Sequence, residues 1–411
     1  MKVMILGANA HQTRAIQRAH ELGHRTVAVD NRTDSPGKKI AHETVMASTF
    51  DAEACLQAAR RLGVQGVFTS GTDQPVLTAA LIQEAMHLPM TFSVDLARKL
   101  TNKRWMKQHF DFCGLPTLPW AVVGENFEET ELSFSYPAVM KPVDSQGQRG
   151  IFLVESPDEI RRHFTESLAY SREDRVLIEE HYPSDEVTVS GWVTEGQAVI
   201  LSITDRETFQ TKGQLGICLS HENPTRFAEQ FGQELEALSH EIVAAFGIQN
   251  GPIYFQFLIG DRGIMINEIA GRIGGAHEDV VLPKITGFDL LGSQVRAALG
   301  QSVQIPEFDS WKKPPIRSSV QLFFVAPGRI EKIFQPEKGR MSSLVEVGLH
   351  IHEGQVIESI ENATARAGYA IFLSQSEETL QEDVSTFYQE MKILDEEGKQ
   401  LLIQHSRRER K

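Results

Sequence analysis

The sequence predicts an α/β protein: a doubly wound parallel sheet first, α+β segments after it, and a strand-rich C-terminal part. Three observations carry this. Short apolar runs alternate with helical patterns over residues 1–100. From 119 to about 205 the texture is mostly strand, and the Pro-rich KKPP at 312–315 precedes more strand-like segments. The chain has 411 residues, and roughly 150 per domain gives two or three domains.

KVMILG is an apolar run ending in Gly, as buried parallel strands are. A helix follows, with Ala15, Ile16, Ala19 and Leu22 on one face and Gly23 as its stop. RTVAVD is the second strand, and a helix near 51–62 leads to VQGVFTSG, the third. The turn after the first strand, GANAHQ, lacks the G-x-G-x-x-G spacing of a dinucleotide site. LTNKRWMKQHFDFCGL reads as one amphipathic helix over 100–115 with Gly114 as its stop. The strands PWAVV, YPAVMKPV, GIFLV, RVLIEE, DEVTVSGWV and QAVILSIT come next, interrupted by a helix near 156–169. A polar loop spans 206–224, and a long helix then buries Leu235, Leu238, Ile242, Ala245 and Phe246. GPIYFQFLIG and GIMINEI are strands joined at Asp261-Arg262-Gly263, and another helix lies near 287–299. The tail HSRRERK is charged and is expected to fray. The expected division is 1–100, 101–190 and 191–411, the last including the strand-rich 311–411.

Composition narrows the function. Apolar residues are 41% and charged residues 23%, so the chain is neither disordered nor membrane-like. No run approaches the ~20 apolar residues that cross a bilayer, and the N-terminus reads as a strand rather than a secretory signal. Three scattered cysteines, Cys55, Cys113 and Cys218, point to a reducing, cytoplasmic setting. The net charge of −14 argues against a general nucleic-acid or anionic-membrane surface. A small anionic ligand remains open, given its own local cluster of Lys, Arg and backbone N–H groups.

His20-Glu21-Leu22-Gly23-His24 matches H-E-x-x-H, but Gly23 ends the helix and the two His cannot share one helical face. No P-loop and no G-x-S-x-G elbow occurs. Three segments do carry chemistry. In YPAVMKPVDSQGQRGIFLV, Lys141 sits inside an apolar strand before a loop from Asp144 to Gly150 that holds Ser145, Gly147 and Arg149. That pairing suits polyphosphate, the lysine giving charge and the glycines letting N–H groups approach oxygens; the alternative is a hairpin with a snorkelling lysine. In RVLIEEHYPSDEVTV, Glu179 and Glu180 end one strand and Glu186 opens the next, an arrangement that suits a purine nucleoside or else a solvated connection. In YFQFLIGDRGIMINEIAGRIGG, alternation puts Ile264, Ile266 and Glu268 on one face, with Gln256 close across the hairpin. A carboxylate on an apolar face needs a partner: Mg²⁺ on ATP, or Arg272 in an ion pair.

Lys103, Lys141 with its loop, the IEE…E segment and NEIAGRIGG, in this order over about 100–300, resemble the ATP-grasp superfamily. The C-terminal APGRIEKI and HEGQVIES…RAGYAIFL resemble the closing region of its carboxylate–amine-ligase and carbamoyl-phosphate-synthase-like members, including amino-acid ligases. The resemblance implies two α+β subdomains gripping ATP, and an ADP-forming ligase that makes an acyl phosphate from a carboxylate for an amine to attack. It implies that Lys103 and Lys141 contact ATP and that Ser145, Gly147 and Gly150 belong to a flap over the phosphates. By the same resemblance Glu179 and Glu180 belong to the adenine strand, Glu186 accepts from ribose, and Glu268 with Gln256 holds Mg²⁺, which Mn²⁺ can replace. Arg272 steadies the acyl phosphate, and Gly274 and Gly275 allow substrate to approach. Two positions depart from the family pattern: Gln256 for an acidic residue and Ala270 for Asn.

Small-molecule carboxylate and amine substrates are therefore expected, with no nucleic-acid or membrane partner, and a homodimer is the default assembly. Lys212 and His221 are candidate substrate walls. The alternatives are a purine-pathway-like or bicarbonate-using enzyme, for which His11, Gln12 and Arg14 are phosphate-binding candidates, and a non-catalytic ATP-binding module motivated by Gln256.

Overall fold

The structure is a computed structural model that describes residues 1–209, 215–306, 311, 312, 314, 316–337 and 339–404. Its first part comprises β1 (Lys2–Leu6), α1 (Ala10–Glu21), β2 (Arg25–Asp30), β3 (Glu43–Met46), α2 (Ala52–Leu62), β4 (Gly66–Phe68) and α3 (Pro75–Ala85). The four strands form a parallel sheet in the order β3-β2-β1-β4. β3 is an addition to the sequence reading: ETVM is short and only Val45 is buried, so it carries little apolar signal. The Asn9 side chain caps α1 in a box with Gln12, and Gly23 takes φ +78° just past its end. His20 then turns to Thr26 and His42, so the H-E-x-x-H match is a helix end.

The segment expected as one helix divides into α4 (Val94–Thr101) and α5 (Lys103–Cys113). Asn102 between them is extended, and its side chain accepts from the N–H groups of Arg104 and Trp105. An N-cap asparagine restarts the helix without breaking its apolar period, which is why periodicity alone misses the division. The start of α5 is tied down by the Lys103 N–H donating to Val143 O at 2.7 Å.

A four-stranded antiparallel sheet follows, in the order β5-β8-β6-β7, from β5 (Trp120–Val123), β6 (Ala138–Pro142), β7 (Phe152–Val154) and β8 (Val176–Glu180). It is covered by α6 (Pro157–Leu168), and together they bury their own core of Val123, Met140, Ile160, Phe164 and Ile178.

The largest sheet has eight strands in the order β13-β12-β9-β10-β11-β14-β19-β17. In chain order its region contains β9 (Ser184–Thr194), β10 (Gln197–Thr208), β11 (Cys218–Asn223), α7 (Gly232–Phe246), β12 (Gly251–Gly260), β13 (Gly263–Ala270), α8 (Glu278–Thr286) and α9 (Leu290–Ala298). Then come β14 (Arg317–Phe323), β15 (Gly328–Arg329), β16 (Lys332–Phe334), β17 (Leu344–Leu349), β18 (Val356–Ile357), β19 (Gly368–Ser374), α10 (Glu377–Glu390) and β20 (Lys392–Leu394). The C-terminal strands β14, β19 and β17 thus extend the sheet that β9 begins, and the expected boundary at 190/191 falls inside β9. Much of the expected 206–224 loop is strand, as β10 and β11 cover all but its middle. α8 and α10 are further additions. The apolar face of α7 is as expected except that Ala245 is half-buried. Met106 and Phe110 of α5 pack with Phe255, Phe257 and Ile266 on this sheet, which anchors α5 between the two antiparallel sheets.

Candidate active site

Lys141 and Lys107 meet on one carboxylate. Lys103 and Lys107 are four residues apart and so lie on one face of α5. Lys107 Nζ donates to Glu179 Oε1 at 2.9 Å and to Thr117 Oγ1 at 2.7 Å. Lys141 Nζ, on β6, donates to the other oxygen of Glu179 at 3.1 Å and to Asn267 Oδ1 at 3.1 Å. Glu179 is 1% exposed and Lys107 2%, so both charges have left water and rely on each other. Burial pushes the Glu179 carboxyl up, but the charges of Lys107 and Lys141 and their hydrogen bonds outweigh it and hold it below its ordinary range. The Glu179 side chain therefore fixes two lysines, and only its backbone is free to face a ligand. Lys107 was missed in the sequence, although its i,i+4 spacing from Lys103 on the Met106–Phe110 face was visible.

Glu268 reaches the site by a bulge. β12 pairs with β13 as Gln256↔Glu268 and then Phe257↔Ile266, leaving Asn267 as the extra residue. The apolar side of β13 runs Ile264, Ile266 and Ile269, all buried. Glu268 is thus not on the apolar face, contrary to the strict alternation expected. The bulge sends both Asn267 and Glu268 into the cavity. There Glu268 Oε1 accepts from Lys103 Nζ at 3.1 Å, and the same ammonium donates to Ser145 O at 2.8 Å. The alternative Glu268–Arg272 ion pair is not formed. Gln256 does not line the cavity; its Oε1 lies 3.5 Å from Asn267 Nδ2, one residue behind.

The cavity measures about 510 Å³ and opens between the small sheet and the edge of the large one. That size suits a nucleotide. Ser145, Gly147 and Arg149 of the loop line it, as do Glu179, Glu180 and Glu186. The buried Ser145 Oγ has no hydrogen-bond partner, and a Cβ on Gly147 would meet no heavy atom within 4 Å, so the loop leaves both donors and space. Glu180 gives its carboxylate to Arg262 at 2.7 Å. Glu186 is paired with buried Arg206, which the sequence reading also missed, and Arg206 also donates to Gly216 O at 2.8 Å. Gly150 does not line the cavity but shapes its loop: at φ +70°, a Cβ there would lie 2.9 Å from Pro142 Cγ and 3.0 Å from Ser167 O. Gly147 shares φ +70° without the clash. Gly147→Ala is expected to cost about 1 kcal/mol. Gly150→Ala should cost clearly more and weaken ATP binding, measured by thermal denaturation and calorimetry; equal losses would contradict this reading of the loop.

The remaining candidates lie toward the N-terminal sheet. Arg272 is buried, donates from Nε to Asp73 Oδ1 at 2.5 Å, and sits 4.6 Å over the Tyr254 ring. The Asp73 N–H in turn donates to Gln146 Oε1 at 2.6 Å, linking this arginine to the glycine loop. Gly274 makes room for the Glu278 carboxylate, and a Cβ on Gly275 would lie 3.3 Å from Gly71 O. Gln12 is buried and bonded to Ser70 O, and Arg14 pairs with Glu346 at 2.5 Å and Asp279 at 3.6 Å. His221 is buried on β11, and Lys212 lies outside the described residues. His11, His277 and Asp279 bring ligand atoms within 4.8 Å of one another. The Arg14 guanidinium already occupies His277 Nδ1 at 3.1 Å, and a metal ion there would face that charge.

The family described as an ATP-grasp domain matches residues 134–279, the span from β6 to the start of α8. A D-alanine–D-alanine ligase of Trichlorobacter lovleyi is 29% identical over 185 residues, 44% of this chain; the chain spans 58% of that relative's length. A formate-dependent phosphoribosylglycinamide formyltransferase of Haemophilus ducreyi is 24% identical over 89% of this chain and 94% of its own. Among solved structures, an L-amino acid ligase from Bacillus licheniformis superposes with TM-score 0.82 at 20% identity, over 96% of this chain and 98% of that one. No helix among the described residues is long and apolar enough to cross a membrane. By the family match residues 134–279 are an ATP-grasp domain, and the fold of the whole chain is that of the L-amino acid ligase structure.

Proposed function

We propose that the chain is an ATP-dependent carboxylate–amine ligase, releasing ADP and phosphate. The observation that carries this is the single cavity holding two lysine ammoniums, a glycine loop with an unsatisfied serine hydroxyl, and a bulge-delivered carboxylate. Lys103 and Lys141 would hold phosphate oxygens, and the Ser145–Gly150 loop would close over them. The backbone after Glu179 would read the base, and Glu186 would accept from ribose. Glu268, with the oxygens of Asn267 or Gln256, would hold Mg²⁺, which when bound neutralises phosphate charge and polarises the γ-phosphorus. The carboxylate of the first substrate attacks that phosphorus, the bond to ADP breaks, and an amine then displaces phosphate. Arg272 offers positive charge to the acyl phosphate oxygens, and no proton has to leave it.

The departure at Gln256 concerns only the metal. Its amide oxygen is a weaker ligand than a carboxylate and stands behind Asn267. Gln256→Glu is expected to keep activity and raise Mg²⁺ affinity, read from the Mg²⁺ dependence of turnover. A large loss with an unchanged melting curve would count against this assignment. A phosphoribosyl substrate is the weaker reading, since Arg14 already faces two carboxylates.

The proposal is tested by phosphate release from Mg-ATP against amino acids and small carboxylates, singly and in pairs. Release that needs one carboxylate and is lost in Glu268→Ala supports it. Tight ATP binding with no release from any combination overturns it in favour of a binding module.

A further inference from the structure

Three polar groups near Arg272 lack partners, His277 and Glu278 being buried and Arg366 half-buried. The guanidinium of Arg366 makes no ion pair or hydrogen bond among the described residues, and its Nε is fully enclosed. An unpaired cation drawn partly out of water is costly and is retained where a ligand supplies the counter-charge. Glu278 accepts at Oε2 from the Ala276 N–H at 2.7 Å, but its Oε1 accepts nothing. Its neighbour at 3.8 Å, His221 Nδ1, supplies no charge: burial, then Arg206, Arg366 and Arg272, lower that histidine to about 3. His277 takes an Arg14 hydrogen bond at Nδ1, so its proton sits on Nε2, which is buried and unpartnered. Its backbone has φ +64°, a left-handed conformation that costs energy in a residue with a side chain.

These groups are close enough to couple. Tyr369, three residues after Arg366, stacks on the His277 ring at 3.8 Å, and the charge of Arg366 adds to the burial that lowers His11, His221 and His277. The turn Ala363–Ala365 that precedes Arg366 docks on the phosphate-loop candidate, its Ala363 N–H donating to Gly147 O at 3.1 Å. Two free donors and one free acceptor, the cation among them joined to that loop through its turn, match a carboxylate and an ammonium carried on one carbon.

We propose that Arg366, His277 and Glu278 bind the α-amino acid whose carboxylate is phosphorylated, the first two holding its carboxylate and Glu278 its ammonium. This rests on the ligase reading above and names its first substrate. An amine kept as ammonium by a buried carboxylate cannot attack, so this amino acid supplies the acyl group and a second molecule supplies the nucleophile. In the transfer, one carboxylate oxygen bonds to the γ-phosphorus as the bond to ADP breaks; Arg366 keeps its protons throughout.

The test is phosphate release from Mg-ATP with α-amino acids, each compared with the acid lacking its amino group. The wild type is expected to respond to an amino acid and poorly to its des-amino analogue. Arg366→Gln is expected to raise KM for that amino acid about 100-fold while KM for ATP holds, with partial rescue in Arg366→Lys. Glu278→Gln should narrow the preference for the amino acid over the des-amino acid. Arg366→Gln should melt no lower than the wild type, because it removes an unpaired, half-buried charge. An unchanged KM for the amino acid, or a lower melting temperature as the sole effect, overturns the site. A response confined to carboxylates without an α-amino group overturns the site and leaves the ligase reading standing. No response to any carboxylate overturns both.

Discussion

Glu268→Gln is expected to lower carboxylate-dependent phosphate release about 10³-fold at saturating ATP. The same change should shift the melting temperature by only a few degrees. Both expectations come from where the bulge puts this side chain. Glu268 is half-buried at the cavity wall and its bonded partner is Lys103, which keeps Ser145 O when the carboxylate is neutralised. Little of the fold depends on it. On the proposed mechanism the metal and the transferring phosphate depend on it heavily, and a neutral amide holds Mg²⁺ poorly. The Mg²⁺ concentration for half-maximal rate should rise in parallel, so that high Mg²⁺ recovers part of the loss. Activity within tenfold of wild type at ordinary Mg²⁺ would remove Glu268 from the metal site.

Glu179→Gln has the opposite profile, a large cost in stability. Removing one charge of the Lys107–Glu179–Lys141 group leaves Lys107 enclosed with no counter-charge, a loss of about 3–5 kcal/mol. Urea denaturation of the wild type and the variant measures it. The same group makes stability pH-dependent, and the sign follows from the depressed Glu179 pKa. Its contribution is complete above the ordinary value of 4.5 and is lost as pH falls through the lower folded value, because the unfolded chain takes up the proton first. The acid limb of wild-type stability below pH 4.5 should therefore flatten in Glu179→Gln. Lys107→Met should affect ATP binding through Lys141, which then has Glu179 to itself. A wild-type-like denaturation midpoint in Glu179→Gln would contradict the buried-charge account.

The sequence made the site residues visible through misfits, charges inside apolar strands. Lys141 in YPAVMKPV and Glu268 in GIMINEI were found that way. For Glu268 the expected face was wrong: strict alternation cannot foresee a bulge that inserts one residue and moves the side chain from core to cavity. Asn267 was hidden for the same reason, being placed on the wrong face by the count of two. The break at Asn102 escaped because the helical period continues across it. Arg206 and Arg366 were illegible because the enclosure of the one and the half-burial of the other come from strands and turns distant in sequence. The strand β3 was too short and too exposed to stand out, whereas β1, β2 and the β12–β13 hairpin carry long apolar runs that local pattern suffices to read.

The central claim is that a substrate carboxylate takes the γ-phosphoryl group of ATP. It is tested most directly by supplying the carboxylate that triggers release with both oxygens as ¹⁸O, and weighing the phosphate. Attack by the carboxylate followed by amine displacement predicts one ¹⁸O atom in each phosphate released, one left in the amide, and ADP as the nucleotide product. Unlabelled phosphate, or AMP with pyrophosphate, would contradict it.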